Sequence, residues 1–181
     1  LIVGLKTYAH PRLFEYEAII GNILAGNGFV TRHIGDAVYK SLNNPLYSYL
    51  CAFIYAITGH SYFAVMVVQS LVSVVLGFVI YAIGTKLFGE RVGLWSAIVT
   101  VFHPGLFYYD IYTLIPMSID TFLIASTVLL FLRFMEDPGV LRIFWVGACI
   151  GVGVLSRSMI GAIAPLAALY ILLFLGKTAL R

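Results

Sequence analysis

YFAVMVVQSLVSVVLGFVIYAIG, residues 62–84, carries no charged side chain from end to end. A helix rising 1.5 Å per residue needs about 20 apolar residues to cross about 30 Å of hydrocarbon, and this stretch supplies them. The chain on either side has the same character. Of its 181 residues 61% are hydrophobic and only 10% charged, with a mean hydropathy of +1.00. A water-soluble domain is nearer half apolar and a quarter charged, so a fold with this little charge is matched to lipid as its solvent.

Toward the C-terminus the pattern predicts four further apolar segments. Residues 92–112 form one, with Pro104 as an internal break, since proline lacks the amide hydrogen a helix interior needs. Residues 115–134 follow, opened by Pro116 in the first turn, where proline is tolerated. Residues 143–155 and 160–176 make a last pair, interrupted at Ser156-Arg157-Ser158. The expectation is about five transmembrane helices over residues 62–181. Residues 1–61 hold the end of an earlier span (LIVGL) and an outer loop, and the remainder of a larger protein is expected beyond Arg181.

Orientation follows from the basic residues. Lys86 and Arg91 share one short loop, Arg133 and Arg142 the next alternate one, and Lys177 and Arg181 follow the last segment. Residues 105–114, between them, have neither lysine nor arginine. The positive-inside rule puts the basic loops in the cytoplasm and residues 6–61 outside. That outer stretch contains two predicted helices. In residues 11–26, Leu13, Tyr16, Ile20, Ile23 and Leu24 recur at helical spacing on one face, and Gly26 and Gly28 end the helix. Residues 45–58 are apolar and too short to cross, and their tyrosines and phenylalanine suit the membrane interface.

The net charge of +3 is scattered without a basic patch, which excludes a nucleic-acid binder. Cys51 and Cys149 lie in apolar helical sequence and read as buried free thiols. The four histidines lack metal spacing, so no metal or other cofactor is expected, although a divalent ion at paired outer carboxylates stays compatible with the sequence. The glycines of GACIGVGVL, residues 147–155, read as close helix packing.

EYEAIIGNILAGNGF (15–29), NNPLYSYLCAFIYAITGHS (43–61), IYAIGTKLFGERVGLWSA (80–97), HPGLFYYD (103–110) and GACIGVGVLSRSM (147–159) occur here in a fixed order. Together they resemble the bacterial relatives of protein O-mannosyltransferases and aminoarabinose transferases, GT-C glycosyltransferases that use polyprenyl-phosphate sugars. The resemblance implies an all-α, polytopic membrane fold: a GT-C-like N-terminal transmembrane module with two interfacial helices in its first outer loop. It also implies transfer, with inversion, of a hexose or pentose from a polyprenyl phosphate to a lipid, glycan or protein acceptor. The active face would be the outer side of an inner or plasma membrane. Some members carry an acid pair a turn before Tyr16, where Arg12 and Leu13 stand here; others carry a single glutamate at the position of Glu15. A lysine or second proline often precedes the PLY segment, where this chain has Asn43 and Asn44. The common late Arg-Pro appears as Arg157-Ser158.

Such a transfer needs a base beside the acceptor and a cation beside the leaving phosphate. Glu15 is the candidate base, with a solvated pair to Arg12 as the alternative reading. Asp110 and Asp120, at the outer ends of consecutive segments, are the other candidate catalytic acids, because a carboxylate near the bilayer is costly unless paired or wetted. Arg157 is the candidate for the donor phosphate, as arginine offers a fork of donors that never loses its charge. Its alternative is a partner for Asp120. Arg12 and His103 complete the candidate substrate contacts, a hydrogen-bonded membrane histidine being the other reading of His103. Glu17 and Asp36 read as solvated. The rival function is a small-solute transporter or a non-catalytic membrane scaffold. A transporter of that kind would show internal repeats and charges near the bilayer midplane; here no repeat is evident and the charges crowd toward the outer face.

Overall fold

A computed structural model describes residues 15–32, 38–40 and 43–175 of the chain. Helix α1 (Glu15–Leu24) leads into a short antiparallel hairpin of β1 (Val30–Arg32) and β2 (Val38–Lys40), in which Val30 faces Lys40 and Arg32 faces Val38. Helices α2 (Pro45–Thr58), α3 (Tyr62–Phe88), α4 (Glu90–Val101), α5 (Pro104–Tyr112), α6 (Met117–Glu136) and α7 (Val140–Ser156) follow. A 3-10 turn (Ser158–Ala162), α8 (Ile163–Tyr170) and a π-helical turn (Ile171–Leu175) close the described chain. The fold is all-helical apart from the hairpin, whose three-residue strands are too short for an alternating pattern to announce them.

Local chemistry sets the element ends. Pro45 sits in the first turn of α2, and Gly59 closes that helix at φ 72°, a left-handed turn that glycine takes without strain. Between α3 and α4 the whole turn is one residue, Gly89, at φ 93°. The segment expected at residues 92–112 is divided at Pro104, where α4 has ended and α5 begins. Arg157 is extended (φ −152°, ψ 116°), which ends α7 and separates it from the 3-10 turn.

Among the described residues two helices, α3 and α6, are long and apolar enough to cross a membrane; α2, α7 and residues 158–173 are shorter apolar helices. Large apolar side chains look outward along the bundle, among them Leu71 and Phe78 of α3, Trp95 of α4 and Phe144 of α7. Lipid tolerates such a surface and water does not.

The helices are held together in two ways. In the N-terminal part of the described chain α1 packs on α2, and the core there joins Ile20, Tyr47, Cys51, Ile54 and Tyr55 to Val65 of α3 and to Ile119 and Leu123 of α6. Tyr16 meets Tyr47 edge to face at 5.0 Å. Where the alternative is water, full burial of a side chain such as Ile19 or Ile20 stabilises by roughly 2 kcal/mol. Inside a bilayer that drive vanishes, and close approach and polar contacts take over. At the α3–α4 crossing, a Cβ on Gly84 would lie 2.7 Å from the Gly93 Cα, and one on Gly93 would lie 2.7 Å from the Thr85 amide nitrogen. The expectation that the 147–155 glycines serve close packing holds for one of the three: Gly153 lies against Ile160, whereas Gly147 and Gly151 have nothing within 4 Å of a added Cβ. Those two are glycine on an open helix face, and the tight crossing lies in the α3–α4 hairpin instead.

The ends of α3 and α6 are joined by an ion pair between Lys86 and Glu136. That end also carries Arg91, Arg133 and Arg142, the last paired with Asp137 at 2.6 Å. The opposite end carries α1, the start of α2 and the α7–α8 break.

Candidate functional site

At that opposite end the first turn of α6 is gripped from two sides. Residues 118 and 120 are about 200° apart around a helix, so their side chains leave in opposite directions. The Ser118 hydroxyl donates to Asp110 Oδ1 of α5, and Ser73 Oγ of α3 donates to Asp110 Oδ2 at 2.5 Å. On the other side Ser156 Oγ of α7 donates to Asp120 Oδ1 at 2.5 Å, and Arg157 Nε donates to Asp120 Oδ2 at 2.6 Å. Both carboxylates are buried, 3% and 4% exposed, so four donors replace the water they have lost. Asp120 also lies in the first turn of its helix, where the backbone dipole favours negative charge.

Arg157 is held differently. Its side chain is 45% exposed although its partner is buried. The Nε edge is committed to Asp120, and among the described residues Nη2 meets only the Met117 sulfur, at 4.0 Å. The outer edge of the guanidinium therefore remains accessible while the inner edge fixes its direction. Beside it, Asn44 occupies the cap position of α2 yet makes no capping bond. Its Nδ2 donates to the Val154 carbonyl at 3.4 Å, and its Oδ1 accepts from Ser158 Oγ at 3.2 Å. The start of α2, the start of α6 and the end of α7 thus converge on one polar cluster: Asn44, Asp120, Ser156, Arg157 and Ser158.

A second polar group runs along α3. Gln69, 1% exposed, accepts from the Tyr47 hydroxyl at 2.9 Å and donates to the Ile115 carbonyl at 3.3 Å. A third lies where α1 meets the α2–α3 junction. Glu17 pairs with His60 Nε2 at 2.9 Å and accepts from the Tyr55 hydroxyl at 3.3 Å. The sequence predicts a solvated acid; its carboxylate is instead held by Tyr55 of α2 and by His60 in the turn that follows, both far along the chain. Burial, aided by the nearby Glu17 charge, holds the Tyr55 phenol above its ordinary range.

The remaining candidates stand apart. Glu15 is the first residue of α1, and its side chain is outside the described residues, as are Arg12 and Asp36. His103 caps α5, its Nδ1 accepting from the Leu106 amide at 3.4 Å. Among the described residues no hydrogen bond or ion pair joins it to the other candidates. No three His, Cys, Asp or Glu side chains among the described residues converge as metal ligands would. An apolar groove of about 430 Å³ between α3 and α4, lined by Val74, Phe78, Leu94 and Ile98 among others, includes no residue of these polar clusters in its lining.

Sequence reasoning singled out the acids and Arg157 but missed Ser73, Ser118, Ser156 and Gln69. One signal was present: Gln69 and Ser73 stand four apart in an uncharged span, the spacing of a polar stripe turned toward the bundle interior.

Residues 43–181 match the family model described as dolichyl-phosphate-mannose-protein mannosyltransferase. The chain belongs to that family. The match begins beside Asn44 and takes in every residue of the polar cluster at the α7–α8 break as well as Asp110. Neither a curated protein nor a solved structure matches the chain. Membership of the mannosyltransferase family makes the chain a GT-C glycosyltransferase of the membrane, and α3 and α6 have the length and composition such a protein needs.

Proposed function

We propose that this protein moves a sugar from a polyprenyl-phosphate donor to an acceptor at the outer face of the membrane. The observation that carries the reading is the half-exposed guanidinium of Arg157, aimed by the buried Asp120 and flanked by Asn44 and Ser158. A phosphate needs a fixed cation with free donors, and an arginine whose Nε is already spent on a carboxylate keeps its Nη groups for the ligand. Asp120 then acts by holding Arg157. Asp110, with both oxygens occupied by serine hydroxyls, holds α5 and α6 in place so that an acceptor meets a fixed surface. Glu15, at the start of α1, takes the acceptor's proton as the sugar carbon is attacked and the bond to phosphate breaks. Arg12, three residues earlier in the sequence, offers a second cation, while His103, engaged as a cap, has the peripheral part of the set.

The outer placement rests on the basic residues at the Lys86–Glu136 end, which read as cytoplasmic. That reading implies about five crossings in residues 62–181, with residues 15–58 on the outer side. The family's name points to mannose as the sugar and protein as the acceptor.

The test is sugar transfer from radiolabelled polyprenyl-phosphate donors by membranes carrying the full-length protein, beside Arg157→Ala and Arg157→Lys. Donor KM is expected to rise about tenfold or more in the alanine variant, with partial recovery in the lysine variant, since losing one charge-assisted phosphate contact is worth about 1.4 kcal/mol or more. Transfer that is indifferent to both changes removes Arg157 from the phosphate site. Glu15→Gln should abolish transfer while leaving donor binding intact.

A further inference from the structure

Gln69 lies in the uncharged span of α3 and is 1% exposed, a place that a methionine or leucine would fill without needing partners. Both ends of its amide are engaged, and with different elements. Nε2 donates to the Ile115 carbonyl at 3.3 Å, and Oε1 accepts from the Tyr47 hydroxyl at 2.9 Å. A backbone carbonyl can only accept, so the amide has one orientation and its oxygen is left for the phenol of α2. The side chain is therefore a bridge from α2 to the link, residues 113–116, that joins α5 to α6.

Each end of the bridge leads to one wall of the polar cluster. Tyr47 is in the first turn of α2, just after Asn44, which reaches the Val154 carbonyl and Ser158. Ile115 sits in a link whose Thr113, Leu114 and Pro116 side chains are buried. The next carbonyl along, that of Pro116, accepts the amide of Asp120 at 2.8 Å and so sets the first turn of α6. Asp120 in turn holds Arg157. One turn further along α3, Ser73 takes Asp110, so α3 grips α5 and the link beyond it at two successive turns. We infer that Gln69 is a positioning residue for the donor-phosphate cluster: its amide keeps the start of α2, with Asn44, in register with the start of α6, with Asp120, so that Asn44 and Arg157 face one ligand together; this rests on the phosphate role given to Arg157 above. An apolar side chain would preserve the packing and leave the two walls free to slide. A buried amide bonded at both ends admits one register, the use to which single buried polar residues are put in coiled coils.

The test compares Gln69→Met, close to glutamine in length and volume, and Tyr47→Phe with the wild type and Arg157→Ala, all as full-length protein in lipid nanodiscs. Two quantities are read: steady-state transfer from radiolabelled polyprenyl-phosphate mannose, and hydrogen–deuterium exchange of residues 44–50 and 113–121. Gln69→Met is expected to raise donor KM about threefold to tenfold with kcat near that of the wild type, the factor that one or two neutral hydrogen bonds are worth. A variant that was merely less stable would lose active enzyme, which lowers apparent kcat and leaves KM alone. Tyr47→Phe should raise donor KM in the same direction. The double variant should go no further than Gln69→Met, because both changes act through one bridge. Exchange in both segments should increase about threefold or more in Gln69→Met. Unchanged exchange in both segments overturns the inference whatever the kinetics. So does a donor KM that increases in Arg157→Ala and not in Gln69→Met. Exchange that increases in both segments while neither variant alters donor KM upholds the tie between the two walls and takes the phosphate away from Arg157.

Discussion

Asp120→Asn isolates the contact on which the proposed phosphate site depends. The wild-type carboxylate is buried and accepts from Ser156 Oγ at 2.5 Å and from Arg157 Nε at 2.6 Å. Removing one partner of a fully buried pair typically costs about 3–5 kcal/mol. Two features of this site reduce that. Arg157 is 45% exposed and can rehydrate when its partner goes. The amide is also the same shape: its oxygen can keep the arginine while the Ser156 hydroxyl turns to accept from its nitrogen. What remains is a charge-assisted bond downgraded to a neutral one, about 1–2 kcal/mol. Asp120→Ala, which leaves both donors without an acceptor, should cost about 2–4 kcal/mol. The assay is reversible unfolding of the full-length protein in mixed micelles, on a four-member cycle of wild type, Asp120→Asn, Arg157→Gln and the double variant. The expected coupling is about 1 kcal/mol, accompanied by an increase in donor KM in Asp120→Asn. A coupling below about 0.3 kcal/mol, the level of independent sites, would refute the claim that Asp120 holds Arg157.

Three other changes test the frame around the site. Ser118→Ala and Ser73→Ala should each destabilise by about 1–2 kcal/mol in the same unfolding assay, since each leaves a buried carboxylate oxygen short of a donor, and the pair should cost more than their sum. Gly93→Ala should cost about 1–3 kcal/mol because its Cβ would meet backbone atoms of α3, whereas Gly151→Ala, on an open helix face, should be neutral or slightly stabilising. Alkaline pH should destabilise the core in which α2 packs. Burial pushes the Cys51 thiol up to about 12, so the unfolded chain releases this proton first and stability falls from about pH 9 toward 12; unfolding midpoints at pH 8 and 11 measure the drop, and Cys51→Ala should shrink it.

The membrane class and the positions of the helix breaks were legible because each depends on local chemistry. Long uncharged runs read as lipid-facing helices, and Pro104 divides its segment whatever surrounds it. The break at Arg157 could be seen as a polar interruption in a glycine-rich run. The partners of the acids were much less legible. Asp110 and Ser73 are 37 residues apart, as are Asp120 and Arg157, and only the packing of α3, α5, α6 and α7 brings them together. Glu17 shows the limit most clearly. At the level of its own helix it is an ordinary acid on a polar face; its enclosure depends on the left-handed turn at His60, which nothing in the residue's identity foretells. The hairpin was missed for another reason, since strands of three residues carry too little pattern.

The single-residue turn at Gly89 has a consequence for how the protein reaches its membrane. Helix α4 has 12 residues and a length of about 18 Å, well short of the hydrocarbon thickness, and would be a poor candidate for insertion by itself. Joined to α3 by one residue and pressed against it at Gly84 and Gly93, it has no room to separate. The two would enter the bilayer as one preassembled hairpin, with the long arm supplying the partition energy for the short one. Mutations at the glycine crossing would then be felt first during biogenesis, as failed insertion of α4, before any effect on the folded enzyme could be seen.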